Sequence, residues 1–361
     1  MRILHLIWSF RCGGAESLLV DLANIQSVND EVCLVVVNDD IDRELLSALS
    51  AKVNVCFIGR PPGSRNPWYF LRLNVQILLL RPDIIHAHVE SLSSVVRVAY
   101  APIVFTLHET NVNSDANLAR YKIIFCISKA VKQYLLCRYP SVVNKVIYNG
   151  IDFEGVAVKE WQPEPMKSQT DRCFRIVQVS RLVHEKKGQD VLLKALRRVI
   201  NNLQPGCSIM LDFIGEGPSE IYLKNLAVEL GISSSVRFLG KRSRFYIYSE
   251  LRSYDLLVQP SRYEGFGLTI VEAMAANLPV LVSDIEGPME VIDMGNLGWG
   301  FRDGDDADCS AKIMNIISVA YSKEGQERIS RTRISAAQKY DIRGTADSYR
   351  SAYSDILNGF L

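Results

Sequence analysis

Two glutamates eight positions apart, Glu264 and Glu272, bracket a Gly265-Phe266-Gly267 turn inside the stretch Tyr254 to Asp284. Asp255 to Pro260 is a short apolar run with strand character, Leu268 to Ala276 has helical composition, and Pro279 to Ser283 is apolar and β-branched again. Together they make one βαβ unit of a parallel sheet. Two glycines let the backbone come close to a ligand, and the following helix turns free N–H groups and its positive dipole end toward the same place. An anion belongs there, and phosphate is the usual one. Glu272 sits among Ile270, Val271, Ala273 and Met274, where a carboxylate is costly to bury unless hydroxyls or a cation meet it.

Other strand ends carry matching chemistry. Arg181 follows a strand at Phe174 to Val179 and opens a basic loop through Lys186 and Lys187; Gly215-Glu216-Gly217-Pro218 follows a strand at Ile209 to Ile214. Strand ends of a parallel sheet share an edge, so one crevice would hold an arginine, a lysine, two glycine turns and a helix N-terminus. Such a set holds a diphosphate and stabilises its added charge when a bond to it breaks. Glu272 would then face a ribose, whose paired hydroxyls can both donate to one carboxylate.

The first half reads the same way. After a strand at Arg2 to Trp8, Gly13-Gly14 opens a helix from about Ala15 to Ile25. The G-x-G-x-x-G fingerprint is missing, which argues against a nicotinamide dehydrogenase; a simple tight strand-to-helix turn would also explain the pair. Strands at Asp83 to Ala87 and Ile103 to Leu107 end in His86-Ala87-His88 and His108-Glu109, on what should be one carboxyl edge. His86 and His88 have no third ligand spaced with them, and His108 is the better site candidate. The Asp40-Ile41-Asp42 and Asp303-Gly304-Asp305 triplets resemble D-x-D metal motifs but sit in loops of turn composition. No metal is expected.

The 361 residues suit two domains. The α/β alternation stops at Lys159 to Arg172 and then restarts, giving domains 1–158 and 173–335, a linker 159–172, and a helical tail 336–361 that should pack back. A net charge of +1 supplies no field for nucleic acid. The eight cysteines are scattered without a C-x-x-C pair, as buried thiols in a reducing compartment would be. The N-terminal MRILHLIWSF reads as a strand and not as a signal peptide, and no apolar run is long enough to span a bilayer. A cytoplasmic protein is expected. A helix at Trp68 to Leu80, carrying Trp68, Tyr69 and Phe70 beside Arg65, Arg72 and Arg81, either packs in a core or lies on a membrane face.

GGAE at 13–16, TLHE at 106–109, CISKAV at 126–131, NGID at 149–152, SRLVHEKKG at 180–188, GEGP at 215–218 and EGFGLTIVEAMA at 264–275 cover nearly the whole chain. In these motifs the chain resembles the family-four retaining glycosyltransferases, also called group 1, of GT-B fold. The resemblance implies two Rossmann-like α/β domains facing a cleft. It implies a metal-independent hexosyltransferase without cofactor, taking a nucleoside-diphosphate sugar as co-substrate. The sugar would pass, with retention, to a glycan or lipid-linked acceptor in polysaccharide, O-antigen or glycolipid synthesis, with peripheral contact at the cytoplasmic membrane face. By the same resemblance Arg181 and Lys187 hold the donor diphosphate and Glu272 the ribose. Glu264 with the amides of Gly265, Phe266, Gly267 and Leu268 holds sugar and phosphates, Gly215 and Gly217 line the donor site, His108 lies near the transferred sugar, and Gly13-Gly14 near phosphates or acceptor. The basic loop is one residue longer than the family's commonest form, so Lys186 and Lys187 compete for the phosphate contact. A GT-B nucleotide-sugar 2-epimerase and a non-catalytic nucleotide-sugar-binding partner are the alternatives.

Overall fold

The computed structural model describes residues 1–11, 13–98, 100–110, 118–161 and 173–360. The chain divides into two compact units, one of Met1–Asp152 with Tyr340–Leu361 and one of Phe153–Lys339. Each is built on a parallel sheet whose central strands are short runs of Val, Ile, Leu and Phe. β-branched and aromatic residues favour strands, and burial on both faces removes the polar alternation of a half-exposed sheet.

The first unit holds β1 (Arg2–Ile7), α1 (Gly14–Gln26), β2 (Glu31–Asn38), α2 (Arg43–Ser47), β3 (Asn54–Arg60), α3 (Pro67–Leu80), β4 (Ile84–Ala87), β5 (Ile103–Leu107), β6 (Ile123–Cys126), α4 (Lys129–Arg138) and β7 (Asn144–Val146). Its strand order is β3-β2-β1-β4-β5-β6-β7. The order reverses between β1 and β4, which are paired from Ile3↔Ile84 to Leu6↔Ala87. Open α/β sheets bind ligands at the carboxyl ends of strands at such a reversal. Local chemistry sets the element ends: Ser128 caps α4 by accepting from the Val131 amide, and α3 starts at Pro67 under an Asn66 cap.

The second unit holds β8 (Cys173–Val179), α5 (His184–Lys187), α6 (Gln189–Asn202), β9 (Ser208–Ile214), α7 (Glu220–Glu229), β10 (Val236–Phe238), α8 (Arg244–Glu250), β11 (Leu256–Gln259), α9 (Leu268–Ala275), β12 (Val280–Ser283), α10 (Glu286–Val291), β13 (Trp299–Phe301), α11 (Asp306–Val319) and α12 (Lys323–Tyr340). The order β10-β9-β8-β11-β12-β13 again reverses at its centre, between β8 and β11. Of the expected linker, residues 162–172 lie outside the described residues. Lys159 and Trp161 are held in this unit, the ammonium on Asp255 at 2.8 Å and the indole N–H on the Asn277 carbonyl at 2.8 Å.

Some expectations need correction. The basic loop after Arg181 contains the one-turn α5; two more short helices, α8 after Gly240 and α10 from Glu286, complete the loops of this unit. Helices this short are fixed by tertiary contacts more than by propensity. The last strand of the first half is the short Asn144–Val146. Cys33, Cys126 and Cys309 are buried as expected, but Cys137 and Cys173 are exposed. Asp42 and Asp305 are helix caps, accepting from Glu44 and Leu45 amides and from the Asp308 amide.

The C-terminal segment does pack back. α13 (Ile342–Leu357) starts under an Asp341 cap and lays Ala346, Tyr349, Ala352, Tyr353 and Ile356 on Ile3, Ile84, Val104 and Phe125 of the first sheet. Tyr349 and Tyr353 are fully buried, and each hydroxyl meets a polar group of the sheet, Thr106 Oγ1 at 3.0 Å and His86 Nδ1 at 2.5 Å. Replacing Tyr349 by Ala is expected to cost about 3–5 kcal/mol of unfolding free energy in urea. Ser348→Ala on the exposed side of the same helix should stay within about 0.5 kcal/mol.

Candidate active site

In the second unit the loops after β8 and β11 meet at the strand-order reversal. The amides of Arg262 and Tyr263 donate to the Lys186 carbonyl at 2.9 and 3.3 Å, which seats the β11 loop on α5. Arg262 clamps the same junction from its side chain: two 2.9 Å bonds reach the Asp190 carboxylate, and a 2.6 Å bond reaches the His184 carbonyl. The consequence is a 2.6 Å ion pair between Lys187 Nζ and Glu264 Oε2, each side chain 17% exposed. Gln259 Nε2 stands 3.5 Å from the same oxygen. The pair separates the two lysines: Lys187 carries its charge to the glycine loop, while the Lys186 backbone holds that loop in place.

Glycines make this convergence possible by letting main chain touch main chain. A Cβ on Gly188 (φ 66) would overlap the Pro260 carbonyl, and one on Gly215 (φ 138) the Ser180 carbonyl. One on Gly217 would overlap the Leu182 carbonyl. Gly215 and Gly217 thus pack against the Arg181 turn itself and bring it to the crevice. Gly287 in α10 does the same for the Glu264–Gly265 backbone. Gly267, at φ 93, caps α9 without a side-chain hydrogen bond, and the Ile270 amide turns back to its carbonyl at 3.0 Å, so no side chain satisfies the first amides of the helix. Phe266 is buried and Glu272 half-buried on α9, and the Arg181 guanidinium is exposed, with no ion pair among the described residues. Sequence reasoning missed Arg262 and Gly287. The sequence carries no local sign of Arg262's partner, whereas the Gly-Pro step after β12 was a visible sign of close packing.

In the first unit, Gly13 is the N-cap of α1 with extended backbone, φ −164 and ψ 170. The Glu16 side chain folds back over it, where a Cβ would collide, and burial raises that carboxyl above its ordinary range. Across the reversal, the Trp8 indole N–H donates to Ser91 Oγ at 2.8 Å.

The histidines group differently from the expectation. His86 and His88 do have a third partner, His5 on β1, which pairs directly with His86 across β1 and β4. The periodicity of a lone strand could not show it. All six ring nitrogens of this trio lie within hydrogen-bond distance of protein groups. His5 meets Gln26 Oε1 (2.8 Å) and His88 (3.0 Å); His86 meets Tyr353 (2.5 Å) and Thr106 (2.7 Å); and His88 Nδ1 faces His108 Nε2 at 3.5 Å. These bonds tie the trio into a proton network, with one ring nitrogen of each histidine within 4.8 Å of the other two. Burial pushes His5 and His108 down to about 4, and burial with neighbouring imidazoles holds His86 and His88 well below the usual range.

With this geometry in hand, two family models match. One, described as glycosyl transferases group 1, covers residues 164–333, and the other, glycosyltransferase family 4, covers residues 12–154. The chain belongs to the group 1, family four glycosyltransferases. Within the family, a glycosyltransferase of Methanocaldococcus jannaschii is 32% identical over 177 residues, 47% of this chain and 44% of its own length. The glycogen synthase of Mycobacterium tuberculosis is 26% identical over 74% of this chain and 67% of its own. An Anabaena protein crystallised with UDP and glucose superposes with a TM-score of 0.78 at 22% identity, over 98% of this chain and all of its own. The fold is GT-B.

The buried histidines give the first unit a pH dependence with a definite sign. An unfolded histidine titrates near pH 6.5, whereas His5 and His108 stay neutral down to about 4. Between those values the unfolded chain binds protons that the folded one refuses, so stability falls as pH falls. Urea unfolding at pH 7.5, 6 and 5 should show a loss of about 2 kcal/mol per such histidine by pH 5; a flat profile would contradict their neutrality.

Proposed function

We propose that this glycosyltransferase moves a hexose from a nucleoside-diphosphate sugar to an acceptor hydroxyl with retention at the anomeric carbon. The observation that carries the reading is the Lys187–Glu264 pair at the glycine loop, with exposed Arg181 on the same loop as Lys187 and the N-terminus of α9, uncapped by any side chain, following the glycines. Arg181 and Lys187 would bind the donor diphosphate and stabilise it as it leaves. Two cations, one of them held by Glu264, and a helix N-terminus can do this without a metal. The amides of Gly265 to Leu268 would cradle phosphate and sugar, Glu264 would accept from a sugar hydroxyl while orienting Lys187, and Glu272 would accept from the ribose. Gly215 and Gly217 serve by seating the Arg181 turn. On the first unit, His108 would contact the transferred sugar, and Gly13-Gly14 the phosphates or acceptor.

In the reaction the bond from the anomeric carbon to the diphosphate oxygen breaks and a bond from the acceptor oxygen forms on the same face. The acceptor proton passes to the leaving phosphate oxygen. No separate protein base is needed. Bound UDP and glucose in the Anabaena fold neighbour put UDP first among nucleotides to try.

The acceptor side of the reading is a lipid-linked sugar or glycan at the cytoplasmic face of a membrane. Helix α3 supports it. Trp68, Leu71, Val75, Leu78 and Leu79 are exposed along one stripe, while Leu73 and Ile77 face the core. From Val55 to Pro82 the sequence has four arginines, Arg60, Arg65, Arg72 and Arg81, and no acidic residue. An apolar stripe with flanking cations suits an anionic bilayer surface. No helix among the described residues is long and apolar enough to cross a membrane.

A thermal-shift panel of UDP, GDP, ADP and dTDP with their sugars should show stabilisation by one nucleotide family, lost in Glu272→Ala. No shift at millimolar nucleotide would remove the donor site; binding without turnover would favour the non-catalytic partner, and epimerised donor the epimerase. Arg181→Ala should slow transfer by about 10²-fold while leaving the unfolding midpoint unchanged, whereas Lys187→Ala should lower both. For the acceptor side, sedimentation with vesicles containing phosphatidylglycerol, but not with phosphatidylcholine alone, is expected. Leu71→Glu with Leu78→Glu should abolish it and leave donor binding intact.

A further inference from the structure

The first sheet holds a line of imidazoles, of which the transfer reading uses only the last. The line starts at Gln26 on α1. Its Oε1 can only accept, and it lies 2.8 Å from His5 Nε2, so that nitrogen carries the proton. His5 is fully buried and neutral at pH 7. A neutral imidazole has one N–H, which leaves His5 Nδ1 bare. The partner 3.0 Å away, His88 Nε2, must therefore donate. His88 is neutral by the same burial, so its Nδ1 is bare in turn. It faces His108 Nε2 at 3.5 Å, a long contact that only a proton on Nε2 makes favourable. His108 then keeps its proton on the inner nitrogen. Its Nδ1 lone pair has no partner among the described residues.

We propose that His5 and His88 are positioning residues that carry the acceptor polarity of Gln26 to His108, so that His108 offers a bare Nδ1 to a substrate hydroxyl. The proposal rests on the placement of His108 at the transferred sugar. A free imidazole would trade tautomers and present a donor part of the time; here one amide three residues down the line decides. The stacked His86 makes its own hydrogen bonds, to Thr106 and Tyr353, and the Thr106 bond provides the control. Turning the Gln26 amide over would reverse every proton in the line, which makes the direction measurable.

The test is a long-range proton–nitrogen correlation spectrum of the imidazoles in the nitrogen-15-labelled full chain at pH 7.5. The five histidines are assigned by single substitution. His108 should show the pure Nε2–H form. Gln26→Met, which fills the same space but cannot accept, should give averaged tautomers at His108. It should also lower kcat about tenfold, the worth of one substrate hydrogen bond, with donor KM unchanged. Thr106→Val, which removes a hydrogen bond of His86 and touches neither Gln26 nor the line, should leave the His108 signals where they were. Averaged tautomers or a proton on Nδ1 in the wild type overturns the proposal without any variant, and so does a His108 spectrum indifferent to Gln26→Met. Expected spectra in a protein that transfers no sugar would sustain the line of protons and overturn the transfer reading instead.

Discussion

Main chain lying directly on main chain is the constraint on which the second unit's crevice depends. The turn after β9 lies on the turn after β8, the start of α6 lies on the end of β11, and α10 lies on the Glu264–Gly265 peptide. Each contact passes through a glycine that has no space for a Cβ. Packing this close fixes the loops to a fraction of an ångström without burying extra apolar surface. It also leaves polar side chains free to point outward. Lys187 and Glu264 come within 2.6 Å because Gly188 on one side and the Lys186 carbonyl on the other hold both chain segments. An ion pair this far buried adds little net stability beyond the cost of leaving one partner unpaired, so its place here is better explained by what it orients.

The first unit uses the same strand-order reversal with the opposite electrostatics. Its carboxyl edge at β1, β4 and β5 carries imidazoles that burial keeps uncharged, satisfied by one another and by hydroxyls of the C-terminal helix. Buried polar groups are tolerable only when their hydrogen bonds are made. α13 supplies two of them, from Tyr349 and Tyr353, so the last helix in sequence completes the first sheet in space. A network of this kind has few alternative arrangements, because each proton's place is set by the next acceptor.

Much of this was legible in the sequence because much of it is local. The βαβ unit around Glu264 follows from two apolar runs, a glycine turn and a helical stretch within thirty-odd residues, and β11, α9 and β12 lie within one or two residues of the expected ends. Family motifs also pointed to the GT-B fold before the sheet orders were known. What sequence reasoning missed is long-range. His5 meets His88 across 83 positions and Arg262 meets Asp190 across 72. Neither pairing leaves a trace in periodicity, since a lone histidine in an apolar strand and a lone arginine in a loop each read as nothing in particular. The helices α5, α8 and α10 escaped for a related reason, being too short to announce themselves by an apolar stripe.

On the proposed reading the two units would divide the chemistry according to what each can hold steady. On the proposed reading, charge that builds up on the leaving diphosphate would be met by Arg181, Lys187 and a helix end, all on the second unit. Recognition of neutral hydroxyls calls for groups whose donor or acceptor character does not change with small shifts of pH. An imidazole near its ordinary pKa would be a poor choice for that, because it titrates close to neutrality. Burial removes the difficulty at His108 by taking its titration down to about 4, and in the proposed line the histidines beneath it would hold its remaining proton in one place. The cost of keeping four imidazoles neutral inside the sheet falls on acid stability and not on the chemistry at neutral pH.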